Sequence, residues 1–331
     1  MKNILVTGGA GFIGSNFIRM MLDKNEGYRI VNYDLLTYAG SLDNLSDIKD
    51  NPSYTFVHGD IRNSELVERV FDEFKIDTVV NFAAESHVDR SIAEPQVFLT
   101  TNIIGTQVLL NAAKQFWNIN PTDKNSLAYK DGVQFLQIST DEVYGALGDT
   151  GRFTEDSPLN PSSPYSASKL SADLIALSYY KTFNLPITIT RCSNNYGPHQ
   201  HPEKLIPLMI TNCINERSLP VYGDGKQVRD WIYVLDHCEA IYAVLVGGKS
   251  GEVYNIGGDN ERENIEIVKQ IISILNKDES LISYVTDRLG HDRRYAVDSS
   301  KMKDQLGWCP KVEFEDGLKN TVSWYRERNS D

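Results

Sequence analysis

A glycine-rich segment near the start of the chain constrains the fold more than any other feature. The segment TGGAGFIGS, residues 7–15, overlaps the end of the apolar run KNILVTG, residues 2–8. Gly8, Gly11 and Gly14 recur at every third position. Glycines at this spacing allow a strand to turn tightly into a helix that packs closely against it. The segment therefore predicts a strand–turn–helix unit that begins a parallel sheet.

Short apolar runs alternate with helical patterns through the first two thirds of the chain. The runs are almost continuously apolar, as is typical of strands that helices cover on both sheet faces. This alternation predicts an α/β fold with a doubly wound parallel Rossmann-type sheet. We expect strands at residues 2–8, 28–34, 54–60, 77–84, 133–140, 186–194 and 252–258, helices near 12–24, 64–75, 97–116 and 164–183, and a surface loop at 116–132.

The pattern changes after about residue 194, where Pro, Gly and charged residues replace the alternation. We therefore predict two domains. A Rossmann domain would comprise residues 1–190 and 229–256, and a smaller, discontinuous α/β domain for the substrate would comprise residues 191–228 and 257–331. No apolar run approaches the roughly 18 residues that a membrane-spanning helix needs, and the start of the chain lacks the features of a signal or transit peptide.

The charge balance argues against one class of partner. The 331 residues carry a net charge of −12, whereas nucleic-acid binding relies on a surplus of Lys and Arg. The same balance means that an anionic ligand must be met by cations gathered locally. The four cysteines show neither a C-x-x-C pair nor the spacing of zinc ligands. We therefore expect free thiols, no bound metal and a cytoplasmic protein.

The glycine segment also has the context of a dinucleotide site. It opens a helix, and Asp34 lies 20 residues after Gly14 at the end of the second predicted strand. The glycines allow the backbone to approach a pyrophosphate, which then lies at the helix N-terminus. A carboxylate at position 34 accepts both ribose hydroxyls and repels a 2′-phosphate. We therefore expect NAD rather than NADP, with Asp60 and Ile61 at the adenine edge.

The segment YSASK places Tyr165 and Lys169 one turn apart on one face of a helix that begins near Pro164. Free tyrosine has a pKa of about 10, so a tyrosine that acts as a base at neutral pH needs its pKa lowered by about three units. Lys169 and the positive nicotinamide ring together would stabilise the phenolate. With this pair, the predicted cofactor-binding set is Gly8, Gly11, Phe12, Ile13, Gly14, Asp34, Asp60, Ile61, Ala83, Ala84, Tyr165 and Lys169.

Two acidic residues stand side by side where a core strand is predicted to end. In STDEVYG, residues 139–145, Thr140 is followed by Asp141 and Glu142, although Asp and Glu are poor strand formers and costly to bury. Neighbouring carboxyl groups split their pKa values, which favours one protonated and one ionised group. Because the backbone leaves its pleat at a strand end, both side chains can reach a ligand at the sheet edge.

These motifs resemble those of the extended short-chain dehydrogenases/reductases, and within that family those of the enzymes that remove water from nucleotide sugars. The resemblance runs from the N-terminus to about residue 298. It covers the stretches YDLLTYAGSLDNL, AAESHVDRSI, STDEVYG, YSASK, RCSNNYGPHQHPEKLIP, YGDGKQVRDWIYV, YNIGG and DRLGHDRRYAVD. It implies an NAD-dependent 4,6-dehydratase that acts on a thymidine diphosphate hexose in deoxysugar biosynthesis of the rhamnose type.

The resemblance also implies a role for each catalytic candidate. Thr140 and Tyr165 would bind the 4-hydroxyl of the sugar, and Tyr165 would remove its proton while a hydride passes from C4 to NAD. Lys169 would orient the cofactor ribose. The resulting 4-ketone acidifies the hydrogen at C5, so Glu142 would act as the base there and Asp141 as the general acid at C6.

Substrate contacts and assembly are implied in the same way. Helices 97–116 and 164–183 would pair across a two-fold axis, giving a homodimer with a four-helix bundle. Cations from the predicted substrate domain would hold the diphosphate, with Arg293 or Arg294 as a further candidate. The implied substrate-binding residues are Ser86, His87, Arg90, Asn194, Glu203, Lys204, Leu205, Tyr222, Arg229, Asn264, Arg288, His291 and Tyr295.

Several other functions share this scaffold. A 4-epimerase or a C6 decarboxylase would use the same cofactor, but an epimerase needs no acid or base at C5 and C6. Dehydratases for GDP- or UDP-linked sugars differ chiefly in the second domain, where GPHQHPEKLIP favours a thymidine nucleotide. A non-catalytic NAD sensor or scaffold would have little use for Tyr165, Lys169 and both acids.

Overall fold

Parallel strands form the main sheet of the computed structural model, which describes residues 2–24, 26–123 and 126–328. The strands of these residues are β1 (Lys2–Thr7), β2 (Tyr28–Asp34), β3 (Tyr54–His58), β4 (Thr78–Asn81), β5 (Gln134–Thr140), β6 (Ile187–Cys192), β7 (Asn194–Tyr196), β8 (Leu219–Tyr222), β9 (Val228–Tyr233), β10 (Val253–Ile256), β11 (Glu261–Glu263) and β12 (Ile282–Val285).

The main sheet has seven strands in the order β10–β6–β5–β4–β1–β2–β3, all parallel. The strand order reverses between β1 and β4, and in open parallel sheets ligands bind outside the carboxyl ends of the strands at such a point. The predicted fold class and all seven predicted strands are confirmed. A three-stranded sheet, β11–β9–β7, and a two-stranded sheet, β12–β8, lie outside the main one.

Several predicted strands are too long at their carboxyl ends. The strand predicted at residues 77–84 ends at Asn81, and the one predicted at residues 54–60 ends at His58. The residues that follow leave the pleat and turn along the sheet edge, where Asp60, Ala83 and Ala84 line a cavity. The residues by which the predicted strands are too long are therefore residues that line the cavity.

Helices cover both faces of the main sheet, and the four predicted helices are confirmed. The one predicted at 97–116 runs instead from Pro95 to Trp117, with a wider π-helical stretch at Leu99–Gly105, so the predicted loop at 116–132 begins later. The helices of the described residues are α1 (Phe12–Asp23), α2 (Ser64–Phe74), α3 (Val88–Ala93), α4 (Pro95–Phe98), α5 (Thr106–Trp117), α6 (Pro164–Phe183), α7 (Leu205–Ile214), α8 (Val234–Gly247), α9 (Asn264–Leu275), α10 (Ser300–Leu306) and α11 (Phe314–Arg328), with short 3-10 turns at Leu42–Leu45, Asp141–Tyr144 and Glu279–Leu281.

Three large apolar clusters account for most of the core. One lies where α1 and α8 meet the sheet and includes Phe17 and Ile241. A second lies under α2, α5 and α6 on the other face. The third is built around α7, α9 and α11, with Met209 and Leu318 among its members.

The proposed division into two domains stays a prediction. The first cluster contains residues of α8 and β10, and the third draws on both predicted segments of the smaller domain. Trp231 and Tyr233 of β9, which fall within the predicted Rossmann segment 229–256, also belong to the third cluster. Residues 1 and 329–331, at the outer limits of that prediction, and residues 25, 124 and 125 lie outside the described residues. Within the described ranges, no helix is both long enough and apolar enough to cross a bilayer.

Candidate active site

A cavity of about 390 Å³ opens at the carboxyl edge of the main sheet, where the strand order reverses. Its wall is formed by the glycine turn, by the residues after β2 to β6 and by residues 200–204. This wall brings together many of the residues predicted from sequence, namely Gly8, Gly11, Phe12, Ile13, Gly14, Asp34, Asp60, Ile61, Ala83, Ala84, Ser86, Thr140, Asp141, Glu142, Tyr165, Lys169, Asn194, Glu203 and Lys204.

The glycines of the turn serve different purposes. Gly8 has a φ of +68°, and a Cβ there would lie 2.8 Å from the Ala83 backbone. A Cβ on Gly14 would lie 2.5 Å from the Gly8 carbonyl oxygen, so this glycine lets α1 pack against the turn. Gly11 is less constrained, because its Cβ would meet only that carbonyl oxygen at 3.2 Å. Gly11 lines the cavity and precedes α1 without a side-chain cap, which fits a diphosphate at the helix N-terminus.

The carboxylate that ends β2 is held rigidly at the same wall. Asp34 Oδ2 accepts a hydrogen bond from the Ala10 backbone N–H at 2.9 Å, and Oδ1 accepts one from Leu36 at 2.8 Å. Burial raises the pKa of Asp34, while these two bonds act in the opposite direction. Each oxygen retains a further acceptor site. Asp34 and the glycine turn therefore fit the adenosine ribose and diphosphate of NAD.

Tyr165 and Lys169 lie in the first turns of α6, whose start is well specified. Ser163 and Ser166 form a reciprocal cap, and Pro164 occupies the first helical position. Lys169 is 4% exposed and its Nζ donates to the Ile138 carbonyl oxygen of β5 at 2.6 Å. The i, i+4 pair predicted from YSASK therefore faces the cavity together, anchored to the strand that carries the acids.

The surroundings of Tyr165 oppose the formation of a phenolate. Burial raises its pKa well above 10, Glu142 raises it further, and the nearby Thr140 hydroxyl has a smaller opposite effect. Burial also lowers the pKa of Lys169. A base at this position therefore needs positive charge close by, such as that of Lys169 and a bound nicotinamide ring.

The acid pair occupies a 3-10 turn directly after β5. Thr140 caps this turn, since its Oγ1 accepts a hydrogen bond from the Glu142 N–H at 3.3 Å and donates to Asp141 Oδ1 at 3.2 Å. Asp141 is 2% exposed, and its Oδ2 is buried without a hydrogen-bond partner. An unpaired buried carboxyl oxygen is costly unless the group is protonated or a ligand completes the bond.

The charges around the two carboxyl groups are unequal. Burial raises the pKa of Asp141 well above its usual value, and Glu142 and Asp230 raise it further against the opposite effect of Arg229. Burial also raises the pKa of Glu142, but three cations, Arg229, Lys204 and Arg288, lower it. Two acids act on Asp141 against one cation, whereas three cations act on Glu142 against one acid, Asp292, so Asp141 holds a proton more readily than Glu142 does.

Arg229 of β9 holds a separate loop beside the acids. It is 7% exposed, and its guanidinium donates to the carbonyl oxygens of Val228 at 2.8 Å and Asp292 at 2.9 Å. The guanidinium also lies 4.4 Å from the centre of the Tyr295 ring. Arg229 thus positions the loop of residues 292–295 while it supplies positive charge to Glu142.

The other two cations reach across to residues 86–89. Lys204 Nζ donates to the Ser86 carbonyl oxygen at 2.9 Å, and Arg288 Nε lies 2.6 Å from Asp89 Oδ1. Burial lowers the pKa of Lys204, which Glu203 and Glu142 oppose. These contacts join segments that are far apart in sequence directly beside the acid pair.

Nine predicted substrate-binding residues lie outside the cavity wall. Arg229 and Arg288 act on Glu142 as described, His87 Nε2 lies 3.7 Å from Glu203 Oε2, and the Arg90 guanidinium lies 3.9 Å from the Tyr38 ring centre. Leu205 begins α7 and packs on the third apolar cluster, and Asn264 begins α9. The side chain of Tyr222 is 40% exposed. His291 Nδ1 lies 2.6 Å from Asp287 Oδ1, and the Tyr295 hydroxyl contacts Asp292.

Two further cations named from the sequence have other partners. Arg293 pairs with the exposed Asp224 at 2.8 Å, and Arg294 pairs with Glu261 at 2.6 Å. Arg294 also donates to the carbonyl oxygens of Gly148 and Gly151, so it braces the loop after the acid turn. Neither arginine is among the groups that act most strongly on the acid pair.

Some residues of the cavity wall were not predicted. Glu85 is 7% exposed with one buried, unpartnered oxygen, and Arg62 forms an ion pair with Asp60 at 2.6 Å. Glu85 lies within AAESHVDRSI, so the sequence indicated this stretch as part of the site without identifying Glu85 itself. Among the described residues, no group of three or more His, Cys, Asp or Glu side chains has the arrangement of a metal site.

Comparison with known proteins gives consistent matches along the whole chain. A family model described as GDP-mannose 4,6 dehydratase matches residues 5–321. The dTDP-glucose 4,6-dehydratase of Xanthomonas campestris pv. campestris (strain B100) is 52% identical over 334 residues, which cover 98% of this chain and 93% of that protein.

Solved structures match equally well. The crystal structure of dTDP-glucose 4,6-dehydratase from Bacillus anthracis in complex with NAD is 54% identical with a TM-score of 0.89, covering 100% of this chain and 98% of that chain. The dTDP-glucose 4,6-dehydratase from Streptomyces venezuelae, also with NAD bound, is 47% identical with a TM-score of 0.91, covering 99% and 98%.

Proposed function

The chain belongs to the GDP-mannose 4,6 dehydratase family of extended short-chain dehydrogenases/reductases, and on that premise we propose that it is an NAD-dependent dTDP-glucose 4,6-dehydratase. This hydro-lyase converts dTDP-glucose to dTDP-4-keto-6-deoxyglucose and water. The observation that carries the proposal is the unequal acid pair, Asp141 and Glu142, beside Tyr165 and Lys169 in a cavity that fits NAD.

The first step is proton removal at the 4-hydroxyl. We assign this proton to Tyr165, with Thr140 holding the same hydroxyl and Lys169 holding the ribose side of the site. Bound NAD supplies the redox chemistry, accepting a hydride from C4 and returning it later to C6. The position of Tyr165 in the cavity wall beside Thr140, Lys169 and the glycine turn supports this role.

The second step is the loss of water across C5 and C6. The 4-ketone acidifies the C5 hydrogen, and Glu142, whose three neighbouring cations oppose the effect of its burial, removes it. Asp141, kept protonated by burial and by its acidic neighbours, gives its proton to the C6 oxygen, and water leaves.

The last step restores the protein. The proton on Glu142 exchanges with solvent and is then delivered to C5 as C6 is reduced, and the proton held by Tyr165 replaces the one that Asp141 lost. The sum is one water released with no net oxidation or reduction.

We also propose that the protein works as a homodimer through a four-helix bundle that includes α5 and α6. Several apolar side chains stand exposed on this side of the molecule. Leu99 is 44%, Ile104 is 50% and Leu174 is 51% exposed, which is typical of a face that a partner covers. Sedimentation of the purified protein as a monomer at all concentrations would contradict this proposal.

A cytoplasmic role in deoxysugar biosynthesis of the rhamnose type completes the proposal. Support comes from the cysteines, because Cys192, Cys213, Cys238 and Cys309 are all free. Free thiols are typical of a reducing compartment.

The test is turnover of dTDP-, UDP- and GDP-glucose in D2O by the purified, NAD-loaded protein. We expect dTDP-glucose to give a product with the alkaline absorbance of a 4-keto-6-deoxy sugar and with one deuterium at C5. A 4-epimer without deuterium at C5 would instead identify an epimerase. No product from folded protein with bound NAD would reject the dehydratase.

A further inference from the structure

A buried charge pair lies behind the catalytic residues of α6 and does not reach the cavity wall. Asp173 is 0% and Arg191 is 2% exposed, and Arg191 Nε lies 3.0 Å from Asp173 Oδ2. Asp173 follows Tyr165 and Lys169 at the next i+4 position, so all three occupy one helix face. A buried ion pair is weak support for stability by itself, because desolvation offsets the attraction. Its contacts suggest another purpose.

The pair holds both ends of the segment that carries the acids. The Ser139 hydroxyl donates to Asp173 Oδ2 at 3.0 Å, and Ser139 directly precedes Thr140. At the other end of the turn, Arg191 Nη1 donates to the Tyr144 hydroxyl at 3.0 Å, which in turn donates to Asn255 Oδ1 at 2.8 Å. The acids therefore lie between two residues that are fixed to one rigid unit.

The same pair places negative charge beside Lys169. Among the groups that act on this lysine, Asp173 lies on α6, Cys192 lies on β6, and β5 contributes the Ile138 carbonyl oxygen. Asp173 has the largest effect that opposes burial and raises the pKa of Lys169. Arg191 and Ser139 both contact Asp173 Oδ2, whereas Oδ1 is buried without a hydrogen-bond partner.

We propose that Asp173 and Arg191 form a positioning unit for the reaction, which clamps Ser139 and Tyr144 around the acid turn and supplies the counter-charge that keeps Lys169 a cation in a dry site. This inference rests on the proposed function and deepens it. Neither residue contacts the reacting atoms, so each acts through another residue: Asp173 through Lys169 and Ser139, and Arg191 through Tyr144.

The charge role is tested by the first step alone. In a Glu142→Gln background, water loss is blocked, and the formation of NADH from enzyme-bound NAD on addition of dTDP-glucose measures the rate of C4 oxidation. Adding Asp173→Asn should move the alkaline limb of this rate to lower pH, because Lys169 then loses its proton more readily. Asp173→Glu should restore the alkaline limb to its original pH. The control is Asp236→Asn, which changes a buried acid in another part of the core. This control should lower the melting temperature and leave the alkaline limb unchanged.

The clamping role has its own variants. Ser139→Ala removes one hydrogen bond and Tyr144→Phe removes two, but neither variant breaks the Asp173–Arg191 ion pair, so both are expected to fold. We expect each to lower kcat severalfold with little change in KM and no shift of the alkaline limb. Wild-type kcat in both variants would overturn the clamp, and a wild-type alkaline limb in folded Asp173→Asn would overturn the counter-charge.

Two controls keep the outcomes separate. If Asp173→Asn does not fold, the double variant Asp173→Asn/Arg191→Gln removes both charges of the pair, so neither member is left as a lone buried charge. It should show the same shift of the limb, and an unshifted limb there overturns the charge role. Failure of the wild-type protein to convert dTDP-glucose would reject the proposed function itself, and it is measured first.

Discussion

The cofactor side and the acid side of the cavity are built in opposite ways. On the cofactor side, the glycine turn and Asp34 come from one strand–turn–helix–strand unit, in which the glycines act through their backbone and Asp34 through a carboxylate held by backbone N–H groups. On the acid side, the cations that act on Glu142 come from residues 204, 229 and 288, which belong to separate elements and loops. A local unit can be recognised from spacing, whereas an electrostatic arrangement of distant residues requires the folded chain.

Substitutions in the acid pair should have the largest effects. Glu142→Gln and Asp141→Asn should each lower kcat by about 10²- to 10⁴-fold, because each removes one proton-transfer group. They should differ in D2O: Glu142→Gln should abolish deuterium exchange at C5 of the sugar, and Asp141→Asn should retain it. NMR of the recovered sugar measures this exchange.

The control for the acid pair is Asp72→Asn, which changes an exposed acid of α2 that pairs with Lys75. It should leave kcat and exchange unchanged. If Asp141→Asn also blocks exchange at C5, the separate roles of the two acids are wrong, and the electrostatic difference between them does not decide the chemistry.

The glycine turn should separate folding from cofactor binding. In Gly14→Ala the new Cβ would meet backbone atoms at 2.5 and 2.8 Å, so the free energy of unfolding should fall by about 1–3 kcal/mol. Gly11→Ala meets one atom at 3.2 Å, so it should keep its stability and bind NAD more weakly. Thermal unfolding and NAD titration measure the two properties. Equal losses of stability in both variants would contradict the different purposes assigned to these glycines.

The cations of the acid side should control the pH dependence. Arg288 lowers the pKa of Glu142, so Arg288→Gln should raise it. Because Glu142 must be ionised to act as a base, the acid limb of kcat at saturating substrate should then move to higher pH, by up to about one unit. Arg293→Gln, which removes an exposed arginine paired with Asp224, is the matched control. A shift to lower pH, or an equal shift in the control, would show that Arg288 does not act on Glu142.

The smallest effect is expected from the partner of Arg288. Asp89 is 37% exposed and holds Arg288 by an ion pair of the kind that contributes about 0–1 kcal/mol. A diphosphate must compete with Asp89 for this arginine, so Asp89→Asn should lower KM for dTDP-glucose by at most about fivefold. Glu94→Gln, at the end of the same helix, should leave KM unchanged. A raised KM in Asp89→Asn would mean that Asp89 positions Arg288 for the substrate.

Much of the main sheet could be predicted from the sequence, whereas the helices after residue 194 could not. The seven sheet strands are apolar runs separated by turns, and their period and length are visible locally. The helices after residue 194 were not predicted individually. One reason is that α7 contains Pro207, and its buried side chains Met209 and Ile210 face α9 and α11 rather than the sheet. Such helices are specified by their mutual packing.

The site shows the same division. The sequence by itself determined the glycine turn, the i, i+4 Tyr165/Lys169 pair and the adjacency of Asp141 and Glu142, because each depends on residues within a few positions of one another. Only the tertiary structure decided that three cations act on Glu142 and that Asp230 lies beside Asp141, the electrostatic basis for the different roles that the family resemblance implies. The physical reason is that burial and Coulomb interactions depend on distances in space, and the fold brings together residues that the sequence keeps far apart.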